Sequence, residues 1–377
     1  MTEQKKAKKK IRWGGFLYIL VCMLIGVGLG IILGEAKVNF DFSHVLVMFV
    51  SIVAGAYLHI ILHEGGHMIC GLMTGYRFLS FRVGSLMWER KKDGKIRLSK
   101  FSLAGTGGQC LMQPPEYNNG DFPYLLYNLG GGLANFILAA ICGLLLIFIT
   151  NDYTVVFLTI MIFLGIALGA VNLIPFKSQN VNNDGSNILA IGKSKAAKKA
   201  FWLQMQSNYC LAMGQRLKEM PDEWFEPFAE EDCKNVMVTT IAVLSCNRLM
   251  DQLDISAAEE KMLKLVNDPA VAGIYRKLLL FDLACCELLR GKTDGYVNLL
   301  GEKENAAFAK AMKNFPSILR TQYAKAMLVD DDAQSAQKIL TAFEKMTVDY
   351  PHPCELEGEW ELIHLIQETG KKASANA

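Results

Sequence analysis

Histidine is scarce in this chain, six among 377 residues, and the ten cysteines include no Cys-x-x-Cys pair and no closely spaced set. The missing cysteine pattern excludes a disulfide-stapled secreted scaffold and a thiolate zinc ribbon, so the thiols read as reduced. Adjacent Cys285 and Cys286 sit inside a helical pattern and read as packing residues. Charge is thin as well. Four stretches, 14–34, 45–62, 124–149 and 154–174, carry none, and each approaches the roughly 20 residues a helix needs to cross hydrocarbon. Together with 51% hydrophobic residues, they exclude an ordinary soluble enzyme. No inverted internal repeat relates these stretches, which argues against a transporter built on one.

The sequence therefore predicts a mainly α, polytopic membrane protein with about four spans, near 14–34, 45–67, 124–149 and 154–174. The first follows a basic start, as a signal peptide would, but its apolar run is too long and GVGLGIILGEAK lacks a cleavage pattern, so it reads as an uncleaved anchor. Lys and Arg collect on the cytoplasmic side of membranes. Six lie in residues 1–13, eight in 76–122 and five in 177–199, against one in 35–43 and none in 150–153. This alternation predicts cytoplasmic N and C termini. Residues 1–199 are net +10 and 200–377 net −8, which divides the chain into a membrane domain and a cytoplasmic helical domain. The basic character lies beside the spans, so a lipid bilayer accounts for it and nucleic acid is not needed.

Between the second and third spans, FLSFRVGSLMWERKKDGKIRLSKFSL reads as two strand-like runs around Asp93-Gly94, a small cytoplasmic β-hairpin. The Gly- and Pro-rich AGTGGQCLMQPPE after it reads as a loop dipping toward the membrane. From about residue 229, amphipathic helices joined by short polar turns recur every 35 to 45 residues. YAKAMLVDDDAQSAQKIL resembles a degenerate tetratricopeptide repeat, and either a stacked repeat array or a compact bundle satisfies the pattern. A stacked array would present a groove for a protein partner.

The chemistry concentrates in LHEGGHMICG, where His63, Glu64 and His67 form His-Glu-x-x-His at the end of the second span. Residues four apart share a helix face, so both imidazoles can meet one Zn²⁺ while Glu64 faces the attacking water. Burying these groups in a bilayer is costly unless they are ligated, paired or functional. His59, one turn earlier, offers a rival pair, but three turn-spaced rings cannot all reach one ion, and Glu64 favours the later pair. His59 then reads as a hydrogen-bonded core histidine. Gly65 and Gly66 admit either a substrate backbone or a packed helix. Two histidines leave a tetrahedral site short of a ligand. Asp184, beyond the fourth span in AVNLIPFKSQNVNNDGSNI, is the candidate third, although Asn-Asp-Gly read alone is an ordinary turn.

Taken together, HEGGH at 63–67, NLIP at 172–175 with Asp184-Gly185, and GGGLANF with Gly131 and Asn135 resemble the site-2 protease family of intramembrane zinc metalloproteases. The resemblance covers roughly residues 44–190. It implies one Zn²⁺ per chain held by His63, His67 and Asp184, with Glu64 as the catalytic base. It also implies oxyanion stabilisation by Asn172 or Asn135, a membrane-anchored protein or signal-peptide-derived peptide as substrate, and a bacterial plasma membrane as the setting. Eight residues separate Pro175 from Asp184, more than the family usually has, Ser186 stands where a second Gly is common, and no PDZ-like segment is evident. An inactive membrane scaffold that binds a partner through the helical domain is the alternative.

Overall fold

Three of the charge-free runs form helices long and apolar enough to cross a membrane: α1 (Phe42–Met73), α2 (Leu125–Leu146) and α3 (Asp152–Leu173). The computed structural model describes residues 27, 30, 31, 34, 35, 41–101, 106–175, 182–348, 350 and 352–375. The first expected span, 14–34, therefore lies almost wholly outside the described residues. Helices α1 and α3 start where the sequence supplies caps. Asp41 accepts from the His44 backbone N–H at 3.1 Å to open α1, and Asn151 accepts from Thr154 N at 3.1 Å to open α3. All three pack against one another. Away from those contacts they expose Val45, Phe49, Ile52, Ile137, Leu144 and Phe157. Such outward apolar surface suits lipid and would be a liability in water. The 32 residues of α1 extend about 48 Å at 1.5 Å per residue, well past a hydrocarbon core of about 30 Å. His63 and His67 lie in its C-terminal third.

The connection from α1 to α2 is a sheet, where a single hairpin was expected. Strands β1 (Arg77–Val83), β2 (Leu86–Arg90), β3 (Ile96–Lys100) and β4 (Gly108–Gln113) are all antiparallel, in the order β3-β2-β1-β4. The turn at Asp93-Gly94 is present between β2 and β3, with Gly94 at φ +76°. The run before it is folded once more at Gly84, whose φ of +59° suits a tight turn that an L side chain resists. The Gly-rich segment expected as a loop supplies β4. Its alternate residues Cys110 and Met112 are buried, and that period-two burial outweighs the weak strand propensity of the surrounding glycines.

Beyond α3 the chain is helical: α4 (Asp184–Ile191), α5 (Lys195–Ala212), α6 (Val236–Asp251), α7 (Ile255–Leu265), α8 (Gly273–Leu289), α9 (Tyr296–Leu299), α10 (Lys303–Ala311), α11 (Pro316–Leu328), α12 (Ala333–Thr347) and α13 (Pro353–Ala375). The division expected at 199/200 falls inside α5. Phe201, Leu203 and Met205 of that helix share one core with Tyr76, Met112 and Tyr127, and with Ile241 of α6, so the helical part is rooted on the sheet and the start of α2. Further on, α6, α7 and α8 pack in succession, α11 lies on α8, and α13 returns against α6, α8 and α11. Helix α12 shows how the pattern is used: Ala336, Ile339, Leu340, Phe343 and Met346 form one stripe that closes the core over α11.

Two buried arginines tie this part together. Arg320 pairs with Asp282 of α8 and, at 2.9 Å, with Glu359 of α13, while Arg216 holds Asp251 and Glu361 at 2.6 Å. Near them, burial pushes Glu355 up to about 7 despite the hydrogen bond it accepts from Tyr350 at 3.1 Å. Burial likewise lifts Glu359 to about 7 against the pull of Arg320. A raised acid favours the folded state fully below the ordinary carboxylate value of 4.5, and that contribution is lost as pH rises toward 7. Thermal unfolding of the detergent-solubilised protein, followed by tryptophan fluorescence, should therefore occur at lower temperature at pH 7.5 than at pH 5. Glu355→Gln should reduce the stability lost between pH 5 and pH 7.5 by about 2 kcal/mol, and an unchanged pH dependence would contradict the assignment.

Candidate metal centre

Helix α1 sets His63 and His67 one turn apart on the face turned to α2. The two helices touch backbone to backbone at this level: a Cβ on Gly66 would lie 2.2 Å from the Gly130 carbonyl oxygen, and one on Gly130 would lie 2.4 Å from that of Gly66. Only glycine at both positions permits the crossing. Of the two glycines inside the motif, Gly66 thus serves helix packing, whereas Gly65 has open space beside it. Gly131 floors the pocket, since a Cβ there would come within 2.5 Å of His63 Cε1 and His67 Nε2.

The third residue comes from α4. Asn183 caps that helix, accepting from Ser186 N at 3.0 Å, and its side-chain nitrogen donates to the carbonyls of Val171 and Ile174 at 2.6 Å each. The amide thereby binds the start of α4 to the end of α3, and Asp184 follows as the first helical residue. The long spacer after Pro175 leaves Asp184 in place: Oδ2 lies 3.3 Å from His63 Nε2 and 3.4 Å from His67 Nε2, and the two Nε2 atoms are 3.1 Å apart. Asn-Asp-Gly read alone suggests a turn, and only the neighbouring His-Glu-x-x-His pointed to Asp184 as a ligand. The cap signature of Asn183 ahead of DGSNILAI was the available signal that a helix begins there.

These three atoms form a nearly equilateral triangle. Ligands bound at about 2.1 Å in tetrahedral directions would stand about 3.4 Å apart, which is the spacing found. The chemistry agrees. Asp184 Oδ2 is buried and makes no hydrogen bond of acceptable geometry. His67 Nδ1 is 2.7 Å from the Tyr127 carbonyl oxygen, which accepts only from an N–H, so a neutral ring leaves Nε2 bare toward the triangle. Lone pairs facing one another at this range repel unless a proton or a metal cation lies among them. The His63, His67 and Asp184 group could hold a metal ion.

The centre opens into a cavity of about 320 Å³, lined also by Glu64, Asn172, Gly108, Gln109, Cys110 and Asn128. Asn172 donates to the Leu168 carbonyl at 2.9 Å through one of its two amide hydrogens. Asn135 is 1% exposed and stands behind His63 instead, with its amide nitrogen 3.2 Å from His63 Nδ1. His59 is fully buried, lies outside the triangle and contacts Asn135 and the Met161 carbonyl. Sequence reasoning missed the Tyr127 carbonyl, which no side-chain pattern reveals, and Arg82. The Arg82 guanidinium donates to Gly84 O at 2.8 Å and Gly108 O at 3.2 Å and pins β4 beside Glu64.

Wild-type protein purified in detergent should retain one divalent ion per chain by elemental analysis. Asp184→Ala, which removes a ligand, and Gly131→Ala, which intrudes on both rings, should each weaken binding by more than about 100-fold, beyond the usual cost of a supporting residue. Unchanged metal content in both variants would disprove the site. No protein-family model, curated protein or solved structure matches the chain.

Proposed function

We propose that the chain is a zinc-dependent endopeptidase acting within or beside the membrane. The observation that carries this reading is the triangle of His63, His67 and Asp184 with Glu64 beside it, opening into a cavity at the end of a membrane-spanning helix. Two imidazoles and one carboxylate at tetrahedral spacing favour zinc among divalent ions and leave a fourth position open. Bound there, zinc would supply the Lewis acidity that polarises a carbonyl and acidifies water. Glu64 takes the proton of the attacking water and returns it to the leaving amine. Asn172, which lines the cavity, is the candidate donor to the developing oxyanion.

A peptide bond in a substrate helix is covered by its own hydrogen bonds, so it has to unwind before it reaches Glu64. Strand β4 is the natural receiver. Among the described residues it pairs with β1 on one side only, and residues 108–112 line the same cavity as the triangle. We therefore assign substrate strand addition to β4. The N–H groups of successive strand residues alternate in direction, so of Gln109, Cys110 and Leu111 proline should block cleavage only at alternate positions. Loss of cleavage at all three, or at none, with metal content intact would contradict this.

Membrane-anchored regulators or signal-peptide-derived segments in a bacterial plasma membrane are the proposed substrates and setting, with both termini cytoplasmic. The acidic helical part is the proposed surface for a protein partner. The deciding experiment compares membrane peptides by mass spectrometry in host cells carrying wild type or Glu64→Gln. A fragment ending near a membrane segment should appear with wild type and fall by about 10² to 10⁴ with the variant. Metal-loaded wild type that yields no difference under several growth conditions would make the chain a membrane scaffold.

A further inference from the structure

Behind the metal centre a line of hydrogen-bonding groups crosses all three membrane helices, and the centre as described does not use it. It runs from His63 on α1 to Asn135 on α2, back to His59 on α1, and ends at the Met161 carbonyl on α3. The separations are 3.2, 3.1 and 3.0 Å. Asn135 is 1% exposed and His59 0%, so no solvent can substitute for a wrongly facing group. Helix α3 comes this close because residue 165 is glycine: a Cβ there would lie 2.7 Å from the Asn135 carbonyl oxygen and 2.8 Å from His59 Cε1.

One end of this line dictates the rest. The Met161 carbonyl only accepts, so His59 Nε2 carries a hydrogen, and a neutral His59 ring then has a bare Nδ1. That nitrogen requires a donor, and its neighbour is the Asn135 amide, whose oxygen and nitrogen are interchangeable in shape. With Nδ2 turned to His59, the amide oxygen faces His63 Nδ1 and accepts its hydrogen. His63 Nε2 is then left bare, pointing into the triangle. The orientation drawn in this structure has Nδ2 on His63 and Oδ1 on His59; it places two acceptors together at Met161 or demands a charged ring with no exposure, so the amide belongs turned over.

We propose that His59 and Asn135 are positioning residues that fix His63 with its Nδ1 protonated and its Nε2 free to bind the metal. This inference rests on the metal site proposed above. It gives the two ligands equivalent supports: the Tyr127 carbonyl orients His67, and the Asn135 carbonyl, itself oriented through His59 by Met161, orients His63. Asn135 on this account has both ends of its amide engaged and does not donate to substrate.

The test reads zinc affinity of the full-length detergent-solubilised protein, by competition with a chelating dye, and needs no proteolysis. Asn135→Leu should weaken zinc binding by about 10- to 100-fold, whereas Asn135→Asp, which still accepts from His63 Nδ1, should bind markedly more tightly than Asn135→Leu. Simple packing predicts the reverse order, because a carboxylate next to His59 is costlier to bury than leucine. His59→Leu should weaken binding alone but add little to Asn135→Leu, since both break one line. Should Asn135→Leu fail to fold, Asn135→Ala carries the same comparisons. Tighter binding by the Leu (or Ala) variant than by Asp, or additive losses with His59→Leu, would overturn the relay. Zinc binding insensitive to Asp184→Ala would instead refute the metal site itself.

Discussion

Two imidazole nitrogens and a carboxylate oxygen from two distant parts of the chain meet within 3.4 Å, and holding them there is the constraint around which the membrane part is organised. Each is braced from behind. The Tyr127 carbonyl braces His67, the line through Asn135 and His59 braces His63, and the cap made by Asn183 braces Asp184. None of these supports works unless the helices approach more closely than ordinary side chains permit. That explains why glycine stands at 66, 130, 131 and 165, where any Cβ would strike a backbone or a ring. A bare chain of this composition gains most of its stability by burying apolar surface. Here part of that surface is given up to backbone contact and to polar braces in the most apolar region of the protein.

The remaining architecture follows from where the metal centre lies. Helix α1, at about 48 Å, is longer than a hydrocarbon core of about 30 Å, and the motif lies in its C-terminal third. The sheet is placed there, with β4 and Arg82 beside Glu64. Helix α5 packs on that sheet, and through it the helical part is joined to the membrane part in one continuous core. Movement of the helical part would therefore be felt first at β4 and at α4, the two elements that border the centre opposite α1.

Much of the site was legible in the sequence because its residues obey helix spacing. His63 and His67 are four apart, and Gly131 and Asn135 are four apart on the next helix, so local periodicity alone puts each pair on one face. Asp184 was harder, because a turn signal and a helix cap use the same residues, and only the amide of Asn183 distinguishes them. The sheet was legible in part. Asp93-Gly94 announces its turn, but β4 is held by pairing with β1 and by burial of Cys110 and Met112, neither of which a Gly-rich segment reveals. The expected four spans became three among the described residues, with the first lying outside them. His59 was legible as a core histidine, but its link to the metal was not, since that depends on a carbonyl of α3 about a hundred residues away in sequence.

X-ray absorption at the zinc edge of the loaded, detergent-solubilised protein tests the central claim most directly. The account predicts a first shell of nitrogen and oxygen alone at about 2.0 to 2.1 Å, with the outer-shell pattern of two imidazole rings that is lost when His63 and His67 are replaced. A sulfur scatterer at about 2.3 Å, or a shell without imidazole, would contradict it.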